Sequence, residues 1–345
     1  MIGVGIAGCG AIAVRRHVPE YEANPNARIV GLFDVVAERA AELAAQHGAK
    51  SYHDFEEMLS DPEIDAVSIC TANRFHAEMA IKALNAGKHV LCEKPIATTL
   101  EDAQRMVEAA ERQGKNLMIA HNQRLSPIHV RAKELLRDGW IGRPLTFRSF
   151  FMHKGPETWS VDKGKGTWFF DKSKAFLGAM CDLGIHKIDL IRWLLDDEFS
   201  QVTAMLGTLD KKDAQGNPIA LDDNGMCVLR TRSGVMGIIG AGWTCYCGEE
   251  NSTTIYGTEG VLRLNEDPKY PIIVERTNGD RVCMEMGRLQ TNENQTSSGV
   301  IDQFVDELMR GVPPAIDGRE GMKTMEVIHA CAESSETGRM VSIDN

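Results

Sequence analysis

Three short segments bring together residue types that can do chemistry. The first is Gly8–Cys9–Gly10–Ala11–Ile12–Ala13, a G-x-G-x-x-A spacing. Gly8 permits a tight strand-to-helix turn, Gly10 lets a pyrophosphate approach the backbone, and Ala13 lets helix pack closely on strand. Phosphates would then rest on the helix N-terminus, where unpaired N–H groups favour anions. Asp34 closes a second apolar run 21 residues after Ala13. A carboxylate there accepts ribose hydroxyls and repels a 2′-phosphate, and no Arg or Lys follows until Arg39, so NAD is favoured over NADP. Without a ligand the same residues read as a plain strand-to-helix turn. The second segment is Cys92–Glu93–Lys94–Pro95. In a partly dry cleft Lys94 can donate to a substrate oxygen and relay a proton; on an open surface Glu93 and Lys94 are a solvated charge pair. The third segment runs from Asp182 through His186 to Asp189. On a helix these side chains share a face. His186 can then remove a proton near neutral pH, while Asp182 or Asp189 orients it and supports the imidazolium. The alternative is a helix-surface histidine in ordinary i, i+4 pairs.

These segments need elements to position them. Apolar, β-branched runs at 2–8, 28–34, 65–69, 88–91 and 115–120 read as strands. Helices fit 36–47, 74–86 and 99–113, the last with Thr99 as N-cap and Asp102 at its third position. Strands separated by helices of this length imply a parallel, doubly wound α/β sheet, whose ligands sit at the carboxyl ends of the strands. After about residue 125 the rhythm changes. A helix at 127–138 and a strand at 145–153 lead into an irregular stretch, 154–177, rich in Lys, Gly and aromatics. A helix at 182–195 precedes seven strands, 200–209, 224–232, 235–244, 252–257, 260–264, 271–276 and 281–286, and two helices near 297–310 and 319–337. Turns such as Arg232–Ser233–Gly234 suit an antiparallel sheet. The expected division is therefore a nucleotide-binding domain, 1–123, and an α+β domain, 124–345.

Composition narrows the partners. The chain has 345 residues, 43% hydrophobic and 25% charged, with 38 Lys and Arg against 49 Asp and Glu, a net charge of −11. That balance repels phosphate backbones, so nucleic acid is not expected. No apolar run approaches the ~20 residues that span a bilayer. The glycine-rich N-terminus makes a poor secretory signal, so a cytoplasmic setting is expected. The nine cysteines form no C-x-x-C pair, which favours reduced thiols over disulfides or zinc. Cys245–Tyr246–Cys247, a lone C-x-C, reads as packing, and no metal is required.

The three segments in this order resemble the Gfo/Idh/MocA family of NAD(P)-dependent sugar and cyclitol oxidoreductases, and the resemblance runs the length of the chain. It implies a Rossmann domain followed by an α+β domain with a large, open, mostly antiparallel sheet. It implies a catalytic group of Lys94, Asp182 and His186, with Asp182 holding His186, and a cis Lys94–Pro95 bond. The family often carries two or three glycines before the D-x-x-x-H motif. Here Leu177–Gly178–Ala179–Met180–Cys181 has one, so the substrate-side backbone is expected to differ.

Looser matches extend the site. Thr71, Asn73 and His76 resemble a loop beside the ribose and nicotinamide, Asn122 and Arg124 are expected to face the same cleft, and Trp168 resembles an aromatic that reaches the cofactor. The expected cofactor set is thus Gly8, Gly10, Ala11, Ile12, Asp34, Thr71, Asn73, His76, Glu93, Lys94, Asn122, Arg124 and Trp168. For substrate it is Lys94, Arg124, His153, Trp159, Asp182 and His186, with Lys154, Lys163, Lys165 and Asp171 as further sugar contacts or simply a solvated loop. The reaction implied is NAD-dependent oxidation of a secondary hydroxyl on a sugar, a glycoside (C3 of a glucoside included) or an inositol. The alternatives are a lyase or glycosidase that retains NAD and passes through a keto-sugar, and a non-enzymatic sugar sensor. An open sheet with exposed apolar positions around Val235–Ile239 and Thr253–Tyr256 implies a homodimer or homotetramer.

Overall fold

The computed structural model describes residues 1–287 and 297–343. Its first sheet is parallel and six-stranded, in the order β3-β2-β1-β4-β5-β6. The strands are β1 Ile2–Ala7, β2 Ala27–Phe33, β3 Lys50–Tyr52, β4 Ala66–Ile69, β5 His89–Cys92 and β6 Leu117–Ile119. Strand order reverses beside β1, which places a ligand crevice between the carboxyl ends of β1 and β4. The helices between strands are amphipathic. Leu100–Gln113 buries Ala103, Met106, Val107 and Ala110, and Thr99 caps it by accepting from the Asp102 N–H at 3.1 Å. The short edge strand β3 and helix Phe55–Ser60, capped by Asp54, go beyond the sequence reading.

The second sheet has nine strands in the order β14-β13-β12-β11-β7-β10-β9-β8-β15. These are β7 Pro144–Met152, β8 Phe199–Gly207, β9 Asn224–Thr231, β10 Met236–Gly242, β11 Thr253–Gly257, β12 Gly260–Leu264, β13 Ile272–Arg276, β14 Arg281–Met284 and β15 Val341–Ser342. Only β7 and β10 pair in parallel. Helices Pro127–Arg137, Ile185–Leu195 and Gly318–Thr337 pack on this sheet.

The outward positions agree with one expected range and correct the other. Within Val235–Ile239, strand alternation buries Val235 and Ile239 and turns Met236 and Ile238 to solvent, beside exposed Met205, Met226 and Val228 on β8 and β9. Thr253–Ile255, by contrast, are buried.

A boundary at 123/124 does not separate the packing cleanly either. Helix Val300–Arg310 returns to the first half, where Ile301, Phe304 and Val305 join Val4, Ile6 and Tyr21 in one core. Ser298 fixes that return, donating to the Glu20 carboxylate through its N–H at 2.7 Å and its hydroxyl at 2.9 Å.

Candidate active site

The glycine turn sits at the crevice. Gly8 has φ +93°, and a Cβ there would lie 2.7 Å from the Cys70 backbone, so only glycine fits. At Gly10 a Cβ would meet nothing within 4 Å, because the position faces the open cleft. Ala11 and Ile12 begin the helical run and line the same cleft. Asp34 lies off the cleft wall and braces the turn, accepting from the Cys9 N–H at 2.7 Å and the Val36 N–H at 2.8 Å. A carboxylate has about four acceptor sites, so room remains for ribose hydroxyls. Burial, then the Asp34 charge, pushes the Cys9 thiol up to about 12. A bare backbone turn, a free helix start and a carboxylate at the end of β2 together fit a dinucleotide.

Glu93–Lys94–Pro95 follows β5, and the Lys94–Pro95 bond is cis. Glu93 is buried and accepts from His17 Nε2 at 2.9 Å. Burial alone would raise its carboxyl, but the His17 hydrogen bond and the charges of His17, Arg16 and Lys94 take it down to about 2. Lys94 Nζ donates to the Asp182 carbonyl and to Asp182 Oδ1, each at 2.9 Å. The other oxygen, Oδ2, accepts from Trp243 Nε1 at 3.1 Å.

Asp182 therefore does not hold His186, which corrects the expectation from i, i+4 spacing. Met180–Gly184 is a π-helical turn ahead of helix Ile185–Leu195, and Lys94 and Trp243 take both carboxylate oxygens. Asp222 sets that turn, accepting from the Gly178 and Met180 N–H groups at 2.7 Å each. A Cβ on Gly178 would lie 1.9 Å from the Asp222 carbonyl, so this single glycine is required by contact.

His186 lines the cleft, with its Nδ1 buried and without a hydrogen-bond partner among the described residues. Burial and the neighbouring positive charge of Lys94 hold its pKa well below the ordinary imidazole range, so the ring is neutral at neutral pH. Phe151 packs against it, ring centroids 5.8 Å apart. Lys187 stands beyond that ring, 5.9 Å from its centroid and wholly buried, and burial lowers it to about 7.

A cleft of about 480 Å³ collects most of the expected residues: Gly10, Ala11, Ile12, Thr71, Asn73, His76, Glu93, Lys94, Asn122, Trp159, Trp168, Asp182 and His186. Gly8, Asp34, Arg124 and His153 lie outside its wall. Arg124 is the largest correction. It is buried in a bidentate pair with Asp189, at 2.8 and 2.6 Å, and bonds Glu320 at 2.8 Å, so it faces neither cofactor nor substrate. Asp189 is thereby unavailable to His186. Both His76 nitrogens meet backbone carbonyls, of Pro95 at 2.7 Å and Thr71 at 3.1 Å, so this residue joins two loops. Asn73 likewise donates to the Ala175 carbonyl. His153 Nδ1 accepts from the Gly155 N–H at 2.9 Å. Lys154, Lys163 and Lys165 are exposed, and Asp171 caps helix Lys172–Ala175. Cys247 is exposed and Cys245 only half-buried, so the C-x-C does not pack. Arg16, Trp243 and Asp222 were not singled out in the sequence. Trp243 follows directly on β10, and a tryptophan buried there needs an acceptor for its N–H, which is a signal the sequence carries.

A glycine turn at the switch point of a parallel sheet, facing a lysine and a neutral histidine, is the layout of a dinucleotide-dependent oxidoreductase. Residues 2–121 match the oxidoreductase family with an NAD-binding Rossmann fold, and residues 129–263 match the Gfo/Idh/MocA C-terminal domain. Levoglucosan dehydrogenase of Pseudarthrobacter phenanthrenivorans is 34% identical, covering 76% of this chain and 73% of that protein. Myo-inositol 2-dehydrogenase of Thermotoga maritima is 25% identical, covering 99% and 98%. The solved structure of a levoglucosan dehydrogenase with NADH superposes with a TM-score of 0.88 at 28% identity, covering 100% and 99% of the two chains. The chain belongs to the Gfo/Idh/MocA family of NAD-binding oxidoreductases. Among the described residues no helix is long and apolar enough to cross a membrane, and no cluster of His, Cys, Asp or Glu could hold a metal.

Proposed function

We propose that the protein oxidises a secondary hydroxyl of a sugar, glycoside or cyclitol, preferring NAD to NADP, with His186 as general base. The observation that carries this reading is a neutral His186 on the cleft wall beside the Lys94–Asp182 pair. NAD, when bound along Gly10–Ile12 with Asp34 at its ribose, supplies the hydride acceptor. His186 takes the hydroxyl proton; a neutral imidazole with a free lone pair is the right acceptor. An ammonium has three donors, and Lys94 uses two on Asp182, leaving one for the substrate oxygen as charge develops there. Asp182 and Trp243 fix that donor's direction. Trp159 and the Trp168–Phe169 stack, centroids 3.9 Å apart, offer apolar faces to a polyhydroxylated ring. The relatives compared are named dehydrogenases, so neither a lyase nor a sensor is favoured.

The exposed face of β8–β10, carrying Met205, Met226, Val228, Met236 and Ile238, supports a homodimer or homotetramer. Nine cysteines without a disulfide suit a reducing, cytoplasmic setting. The experiment is a panel of sugars, anhydrosugars, glycosides and inositols with NAD, read as NADH absorbance. Net NADH from one or more of them is expected; none from any would overturn the reading.

A further inference from the structure

Arg39 and Asp162 come from opposite halves of the chain and meet at the cofactor end of the cleft. Arg39 lies in the first turn of helix Ala37–His47, just after β2, and is the first cation to follow Asp34 in sequence. Asp162 belongs to the irregular segment after β7, whose Ser160 and Val161 line the cleft with Gly10, Ala11 and Ile12. Arg39 Nη2 donates to Asp162 Oδ1 across the gap. The Arg39 charge also reaches the glycine turn, where it opposes the upward push of burial and of Asp34 on the Cys9 thiol.

In dinucleotide folds that take NADP, an arginine near this point accommodates the 2′-phosphate. The chain therefore carries a cation suited to NADP, but a carboxylate from the other half already engages it. We propose that Asp162 is a positioning residue for cofactor choice: by holding Arg39 it withholds the guanidinium from a 2′-phosphate. The inference rests on the reading that Asp34 faces the adenosine ribose, and it extends cofactor selection to the substrate-side half of the chain. The Arg39 and Asp162 side chains are 31% and 48% exposed, so the pair is screened by solvent and biases cofactor choice by a few-fold rather than absolutely.

The test is the dissociation constants of NAD and NADP, by calorimetry on nucleotide-stripped protein. The variants are Asp162→Asn, Asp162→Glu, Arg39→Gln, the Arg39→Gln/Asp162→Asn double variant and Asp34→Ala. Asp162→Asn should improve NADP relative to NAD by about fivefold, the upper size of one exposed charge contact. Asp162→Glu should restore the parent ratio, and in the Arg39→Gln background the Asp162→Asn gain should vanish. An unchanged ratio in Asp162→Asn, or an equal gain without Arg39, overturns the proposal. If Asp34→Ala shifts the ratio and Asp162→Asn does not, only this inference fails. If Asp34→Ala shifts nothing, the ribose reading fails and takes the inference with it.

Discussion

Asp182 and Asp189 leave one helical run, yet they build two different kinds of place. Asp189 is 1% exposed and fully partnered: Arg124 grips both its oxygens, and the Thr324 hydroxyl adds a contact at 3.4 Å. Around it Arg192 pairs with Glu198 at 2.6 and 2.9 Å and with the Thr324 hydroxyl at 2.9 Å. Burial would raise the Glu320 carboxyl, but Arg192 and Arg124 take it down to about 2. Asp182 instead serves Lys94 at the cleft, where one ammonium donor is left over and the His186 ring forms part of the wall. A closed network of this sort knits helices together, whereas leftover bonding capacity at a cavity is what a reacting group can use. The two aspartates are both fully bonded, and they divide into stability and chemistry according to whether the cation each one holds keeps a donor free.

Mutations should separate the two places. His186→Asn should slow turnover by about 10²–10⁴-fold, the usual share of acid–base assistance, with the unfolding midpoint near that of the parent. Steady-state rates and calorimetry on one preparation check both halves of that statement. Lys94→Met should cost about 10²–10³-fold in turnover through loss of the oxygen-facing donor, with a smaller stability loss than Asp189→Asn because Asp182 keeps Trp243 and borders the open cleft. Asp189→Asn reverses the pattern. It leaves buried Arg124 with only the partly exposed Glu320 as counter-charge and should cost about 3 kcal/mol in urea unfolding, while the folded fraction keeps most of its turnover. Trp243→Phe should have the smallest effect, about 1 kcal/mol and a few-fold in rate, because it removes one hydrogen bond to Asp182. A severe turnover loss in Asp189→Asn with normal stability would erase the distinction.

The division between the two places was only half legible in sequence. Gly8–Ala13, Lys94, Asp182 and His186 could be found because motif spacing and strand ends are local properties, and parallel sheets gather strand ends in one crevice. Their partners could not. Arg124 looked like a cleft residue because it follows a strand, but Asp189, 65 positions away, claims it. Asp182 looked like a partner of His186 because i, i+4 spacing assumes a regular α-turn, and the π-turn at Met180–Gly184 depends on Asp222 from another loop. β3 and β15 have three and two residues, too few to show alternation. Chain order conveyed which groups reach the cleft better than which of them are already satisfied.

If a buried, neutral His186 takes the substrate proton, its titration must appear in the pH dependence of kcat/KM. Burial and the Lys94 charge lower its pKa, so the base form persists as pH falls. With a substrate from the panel, the parent enzyme should show an acid limb below about 6.5, the ordinary imidazole value, and His186→Asn should show none. The same acid limb in both proteins would contradict it.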